Sequence, residues 1–265
     1  MITPLLGLFV GLLMGLTGAG GGILSVPLLI FGLGLQVNQA APIALASVAI
    51  SAGIGASLGL KSKILRYKAA LLIGSFGLLL APLGIWLSHQ IPNTPLILTF
   101  SVVLFLVSIR MYIRASRELG GNPIRDPLAP PCQLDQSIGK LIWTAPCARS
   151  LMLSGVVAGF FSGLLGVGGG FVIVPALKRY TDLPINSIVA TSLGVLTIVS
   201  TGGALFASAA GVMEWQVAIP FIGGSVTGLI MGRYFIKKIH GARVEQLFAI
   251  FTFCVGISLV YRCLG

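Results

Sequence analysis

Glycines, rather than carboxylates or histidines, form the pattern in this sequence that could do chemistry. Gly18, Gly20, Gly21 and Gly22 crowd one short stretch ahead of Val26 and Pro27, and Gly166, Gly168, Gly169 and Gly170 repeat the arrangement ahead of Val174 and Pro175. A Gly-x-Gly-Gly-Gly run removes every side chain where two helical segments meet, which permits positive φ and close approach of backbone to a partner. The segment that follows, from Ile23 or from Phe171, presents unsatisfied N–H groups and the positive end of its helix dipole. Placed near the middle of a membrane, such a tip is an anion site made of backbone alone. The Gly-Lys-Ser/Thr ending of a phosphate loop is missing, so nucleotide binding is not supported.

Hydroxyls that could join the glycines lie in the segment after each tip. Ser47, Ser51, Thr191 and Ser192 are the candidate anion donors, with Thr197, Ser200 and Thr201 nearby. Such hydroxyls also bond back to their own helix. Asn38 and Asn186 are expected to cap the helices that follow the hairpins. Upstream, Gly7, Gly11 and Gly15, and again Gly155, Gly159 and Gly163, form small-xxx-small stripes, which let membrane helices pack closely. The stripes permit a homodimer without requiring one.

The elements that position these groups follow from a duplication. The two glycine clusters lie 148 residues apart, and the same offset carries Gly7 to Gly155, Gly55 to Gly203, Gly84 to Gly232 and Phe100 to Phe248. One constant offset means two copies of a folding unit, residues 1–117 and 149–265, joined by a linker over 118–148. The chain is 56% hydrophobic and 9% charged, and its mean hydropathy is +1.02. Runs of about 20 apolar residues, enough to span a bilayer as helix, occur at Ala41–Leu60, Ala69–Ser88, Pro95–Arg114, Ser187–Ala210, Gln216–Phe235 and Glu245–Cys263. Lipid leaves no solvent for unpaired backbone groups, so an all-α polytopic membrane protein is expected. The N-terminus has no positively charged leader pattern, and no cleaved signal peptide is read.

The net charge of +11 sets the orientation rather than indicating nucleic acid. If every apolar segment crossed once, basic loops would face both sides. If each glycine-broken segment instead dips in and returns, each repeat crosses three times and the second is inverted. Sixteen of the 17 Lys and Arg residues then lie in cytoplasmic loops, and only Arg262 lies outside. Matched loops also exchange charge: 61–68 is basic where 209–216 carries only Glu214, and 236–243 is basic where 88–95 is not. Residues 5–34 are too few for two crossings of about 20 residues each. Split at the glycines, they give legs of about 13 and 12 residues, roughly 18–20 Å long. The expected fold is two homologous repeats of inverted topology, each a broken or re-entrant Gly-rich helical hairpin plus three transmembrane helices.

No Asp, Glu, Lys or Arg sits firmly within a span, which disfavours a carboxylate proton relay. Outward movement of an anion is already driven by the membrane potential, by about 2.3 kcal/mol per charge per 100 mV. An intramembrane serine protease would need a base, yet His89 and His240 lie at membrane edges and Ser162 has no partner. A passive anion channel is the competing transport reading. Cys132, Cys147, Cys254 and Cys263 lack metal-ligand spacing. Cys132 and Cys147 could pair, but in a cytoplasmic linker free thiols are expected. No metal or other cofactor is expected; the partners are a small anionic substrate and the lipid bilayer, not nucleic acid.

The two glycine clusters, each ending in Val-Pro, with Ala190, Thr191, Ser192 and Leu193 after the second, resemble the TauE/SafE sulfite exporter family, also called the toluene sulfonate uptake permeases. The resemblance covers essentially both repeats. It implies a secondary transporter in the bacterial inner membrane that moves sulfite or organosulfonates, most simply as an exporter. Import of sulfate or thiosulfate is the alternative. The first repeat departs from the pattern, with Ile43 and Ala44 where the second has Thr191 and Ser192.

Overall fold

In the computed structural model, residues 2–18, 20–120, 130–135, 140–209, 211, 213–235 and 241–264 are described, and among them the chain is almost entirely helical. The first repeat supplies α1 (Ile2–Thr17), α2 (Gly20–Leu33), α3 (Val37–Lys61), α4 (Tyr67–Gln90) and α5 (Asn93–Leu119). The second supplies α6 (Ala145–Leu165), α7 (Gly170–Tyr180), α8 (Ile185–Ala209), α9 (Trp215–Phe235) and α10 (Gly241–Leu264). The helices succeed one another in the same order in both halves, and α3 and α8 start and end at positions separated by the offset of the duplication. His240, Lys237, Lys238 and Gly265 lie outside the described residues.

Each glycine cluster turns the chain back on itself. A Cβ on Gly21 would lie 2.2 Å from the Val10 carbonyl oxygen, and one on Gly32 would meet the Leu6 side chain, so α2 runs antiparallel along α1. Gly169 stands equally close to the Ala158 carbonyl of α6. These are helical hairpins, not single broken helices. The expected half-helix starts are corrected at one end: α7 opens at Gly170, but α2 opens at Gly20, so Gly20, Gly21 and Gly22 are helical. Without Cβ atoms, that first turn of α2 can press directly against α1.

The repeats interlock reciprocally. On α1, Gly7, Gly11 and Gly15 face the carbonyls of Phe221, Ser225 and Leu229 on α9. On α6, Gly155, Gly159 and Gly163 face those of Ile73, Gly77 and Ala81 on α4, which are the same positions shifted by the offset. Backbone meets backbone at both contacts, which only glycine allows. The stripes on α1 and α6 are therefore filled within the chain. α3 and α8 run antiparallel, with Gly59 against Ala190, Gly55 against Leu193 and Gly203 against Leu45. α5 and α10 are antiparallel too: Gln246 donates to Ser116, and the Phe105 and Phe253 rings meet edge to face.

Leu79, Trp86, Ile219 and Leu247 are exposed, while the interior holds Ser47, Ser51, Thr191, Ser192 and Ser200 among its apolar residues. Large apolar side chains outside suit lipid as the solvent. Among the described residues, six helices are long and apolar enough to cross a membrane: α3, α4, α5, α6, α8 and α9. The sequence-based set had α10 in place of α6. Thr144 caps α6 by accepting the Cys147 N–H at 3.3 Å and Pro146 sits in its first turn, so the helix reaches 21 residues instead of a half-length leg. In α10 the described apolar stretch is Glu245–Tyr261, inside the expected span Glu245–Cys263.

The linker is corrected in one respect. Cys132 and Cys147 form a disulfide, with Cα atoms 4.8 Å apart, and both are buried. The Cys132 N–H donates to the Tyr180 carbonyl, and the two-residue strands β1 (Leu134–Asp135) and β2 (Lys140–Leu141) pair just beyond. The Leu134 N–H donates to the Asp182 carboxylate, so the linker docks on the turn between α7 and α8. This docking brings Cys132 beside the first turn of α6, a proximity that residue spacing alone did not reveal. Cys254 is a free, exposed thiol.

The helix caps differ from expectation as well. Gln36 precedes α3, its N–H donating to the Gln39 side chain, and Pro184 precedes α8, so Asn38 and Asn186 lie one residue inside their helices.

Candidate functional site

The two hairpin tips meet against the middles of α3 and α8. Gly22 of the first tip faces the second so closely that a Cβ would lie 2.6 Å from the Val167 carbonyl oxygen. Val48 on α3 touches both tips, standing 3.6 Å from the Gly22 Cβ position and 3.1 Å from that of Gly168. Leu196, the residue of α8 equivalent to Val48, packs against Gly168 from the other side. All of these residues are buried.

The tips are not conformational copies of one another. In the second, Gly166, Gly168 and Gly169 all adopt positive φ, near +70°, and Gly169 caps α7. Of the first cluster, Gly18 alone does so, at +78°. The second tip is thus a glycine loop, whereas in the first the helix begins at Gly20. At the head of α7 the Gly169 carbonyl accepts the N–H groups of Val172 and Ile173. The N–H groups of Gly170 and Phe171 have no acceptor within their own helix. They point the positive end of α7, equivalent to about half an elementary charge, toward the tip.

The candidate glycines therefore divide by what they face. Gly22 and Gly168 stand where the tips meet, with Gly170 opening the adjoining helix and Gly20 opening α2. Gly21 and Gly169 face their own hairpin partners. Gly18 packs on Val189 and Gly166 on Ala41, at equivalent places on α8 and α3.

The hydroxyls divide as well. Ser192 donates to the Val189 carbonyl at 2.9 Å and to the Gly18 carbonyl at 3.3 Å, steadying the first tip. Thr191 accepts the Arg66 N–H at 3.1 Å and ties the start of α4 to α8. Ser51 and Ser225 share a hydrogen bond of 2.8 Å between α3 and α9, and Thr197 bonds back to the Leu193 carbonyl. Ser47 is fully buried and has no hydrogen-bond partner among the described residues.

Ser200 stands apart. It too is buried without a partner, and a Cβ on Gly168 would lie 2.8 Å from its hydroxyl oxygen. An unpaired buried hydroxyl costs roughly 1–3 kcal/mol, so a group that pairs with it at this position gains. In sequence Ser200 is one hydroxyl among several on α8, and its counterpart in the first repeat is Ala52, so no repeated signal marked it. Among the described residues no group of His, Cys, Asp and Glu could hold a metal ion. The arrangement offers an anion backbone N–H groups, a helix dipole and a hydroxyl, with no fixed charge to hold it tightly.

Comparison with known proteins supplies the remaining context. The family model described as Sulfite exporter TauE/SafE matches residues 4–259. The chain is 28% identical over 261 residues to a "Probable membrane transporter protein" of Xylella fastidiosa (strain 9a5c), covering 96% of this chain and 92% of that one. It is 26% identical over 275 residues to "Probable membrane transporter protein YunE" of Bacillus subtilis (strain 168), covering 99% and 97%. With "Probable membrane transporter protein MJ0441" of Methanocaldococcus jannaschii it shares 31% identity over 212 residues, covering 77% and 71%. No solved structure matches.

Proposed function

The chain belongs to the sulfite exporter TauE/SafE family, and from that premise we propose that it exports small sulfur-containing anions, sulfite or organosulfonates, through the meeting point of its glycine tips. It is a multi-pass membrane transporter. The observation that carries the reading is the convergence of Gly22, Gly168, the head of α7 and the unpaired Ser200 hydroxyl on one buried place. A small oxyanion accepts hydrogen bonds from every side and suits a site made of N–H and O–H donors. Weak binding without a counter-charge also favours release on the far side.

Reconstituted protein tests this with sulfite, sulfate, thiosulfate, sulfoacetate and taurine. Saturable flux of sulfite or an organosulfonate is expected, with competition among substrates. Ser200→Ala should raise the half-saturating concentration about 2- to 10-fold, the worth of one hydrogen bond of roughly 0.5–1.5 kcal/mol. Flux that never saturates argues for a channel and overturns the carrier reading.

Inverted repeats in the bacterial inner membrane are part of the same proposal. The antiparallel pairing of α3 with α8 and of α5 with α10 supports repeats that face opposite ways, since α3, α5 and α8 are themselves candidate spans. The distribution of basic residues supports cytoplasmic placement of the linker. The buried disulfide favours the opposite side, where thiols are oxidised. Reporters decide between them: one fused after Gly120 should report the cytoplasm and one after Gly265 the periplasm. Signals from the same side at both would sink the inverted arrangement.

A further inference from the structure

Arg233 is a charged residue that breaks the equivalence of the two halves near the site. The sequence pattern assigns it to a cytoplasmic loop, but it lies in the last turn of α9, within the candidate span Trp215–Tyr234. Its side chain is partly buried and turns inward, donating to the Gly55 carbonyl of α3 at 2.7 Å. Its backbone lies beside Gly15, one turn before the first tip. The Gly55 carbonyl belongs to a helix and uses one of the five donors of the guanidinium. Among the described residues no carboxylate pairs with it, and the ion pair is Lys178 with Glu245, elsewhere in the fold.

A partly buried cation drawn inward at the end of a candidate span, with no carboxylate partner among the described residues, has donors left for an anionic partner. The other half shows what the position needs for packing alone. The equivalent of Arg233 is Ile85, whose backbone N would lie 3.0 Å from a Cβ on Gly163, as that of Arg233 would lie 3.1 Å from one on Gly15. The equivalent of Gly55 is Gly203, packed on Leu45 as Gly55 is packed on Leu193. The two backbone surroundings match, and the residue at one of them is the half-buried, apolar Ile85. The charge at the other is therefore not a packing requirement.

We infer that Arg233 is an anion-recognition residue on one access route only, the route at the α9 end that carries the basic loops. It receives the oxyanion by exchanging its bond to the Gly55 carbonyl for charge-assisted bonds to the substrate, beside the first tip. The opposite route, with Ile85, has no such capture point, so the two faces bind substrate with different strength. This rests on the transport reading above.

The test measures sulfite flux in oriented proteoliposomes, with substrate supplied to each face in turn. Arg233→Met and Arg233→Gln are each expected to raise the half-saturating concentration at the α9-end face tenfold or more, and to change it less than twofold at the other face. Gln keeps a donor for the Gly55 carbonyl and loses the charge, so it separates recognition from a structural tie. A Gln variant that behaves as wild type overturns the inference, as does an equal change at both faces. Wild-type protein that carries neither sulfite nor an organosulfonate overturns the transport reading and this inference with it; wild-type flux with an unchanged Gln variant overturns this inference alone.

Discussion

Gly22→Ala is expected to reduce anion flux on the order of a hundredfold while leaving a folded protein. The added methyl would stand 2.6 Å from the Val167 carbonyl oxygen, inside any tolerated contact, so one tip must move. Gly22 sits in helical α2 and cannot yield readily. Residues 166–169 form the non-helical loop of the second tip, and they give way instead. A displacement of about 1 Å of groups that orient a substrate costs roughly a hundredfold, whereas the overpacking itself costs about 1–3 kcal/mol. Flux per folded molecule and thermal unfolding in detergent, measured on the same preparation, separate the two effects. Wild-type flux in the folded variant would remove the meeting of the tips from the transport path. Gly21 and Gly169 make poorer tests, although the sequence marks them equally: each faces a carbonyl of its own hairpin, so a large side chain there would disturb folding first.

The second large effect is on folding. Gly159→Leu and Gly11→Leu should each prevent recovery of monodisperse protein, by a destabilisation beyond about 3 kcal/mol. A Cβ at Gly159 lies 2.1 Å from the Gly77 carbonyl oxygen and one at Gly11 lies 1.9 Å from that of Ser225. In both cases the obstacle is backbone, which cannot swing aside as a side chain can. Gly223→Ala is the matched control. It too lies in a helix, on α9, but has nothing within 4 Å of its Cβ position. There, alanine should leave stability within about 1 kcal/mol, in the stabilising direction given by helix propensity. Comparable loss at Gly11 and Gly159, with none at Gly223, would establish the reciprocal packing of α1 on α9 and α6 on α4. A stable Gly159→Leu variant would refute it.

Much of the fold was legible because the signals that specify membrane helices are local. An apolar run near Ser47 or Thr197 reads as helix whatever surrounds it. A constant offset between Gly11 and Gly159 likewise needs only the one sequence. The boundaries of α3, α4, α8 and α9 therefore fall within a few residues of the predicted spans. Legibility failed where a local signal had two outcomes. Gly20, Gly21 and Gly22 read as loop by propensity, but the contact of α2 with α1 makes them helix. Thr144 and Pro146 lengthened α6 beyond a half-span, since a cap competes with the end of the apolar run for the start of a helix. Cys132 pairs with Cys147 because the linker docks on the α7–α8 turn, which the spacing of 15 residues did not disclose.

Taken alone, the amino-acid sequence determined a duplicated, all-helical membrane chain with two glycine tips. Periodicity, hydropathy and repeated glycines are properties of single segments and survive without knowledge of their neighbours. The tertiary structure decided which glycines face the opposite tip, that Ser200 is left unpaired at Gly168, and that Arg233 turns inward to the Gly55 carbonyl. Each of these depends on contacts between distant parts of the chain, as in the bond from Ser192 to Gly18 across 174 residues. Repetition marks what the two halves share. The features that set them apart at the site arise only when one half is packed against the other.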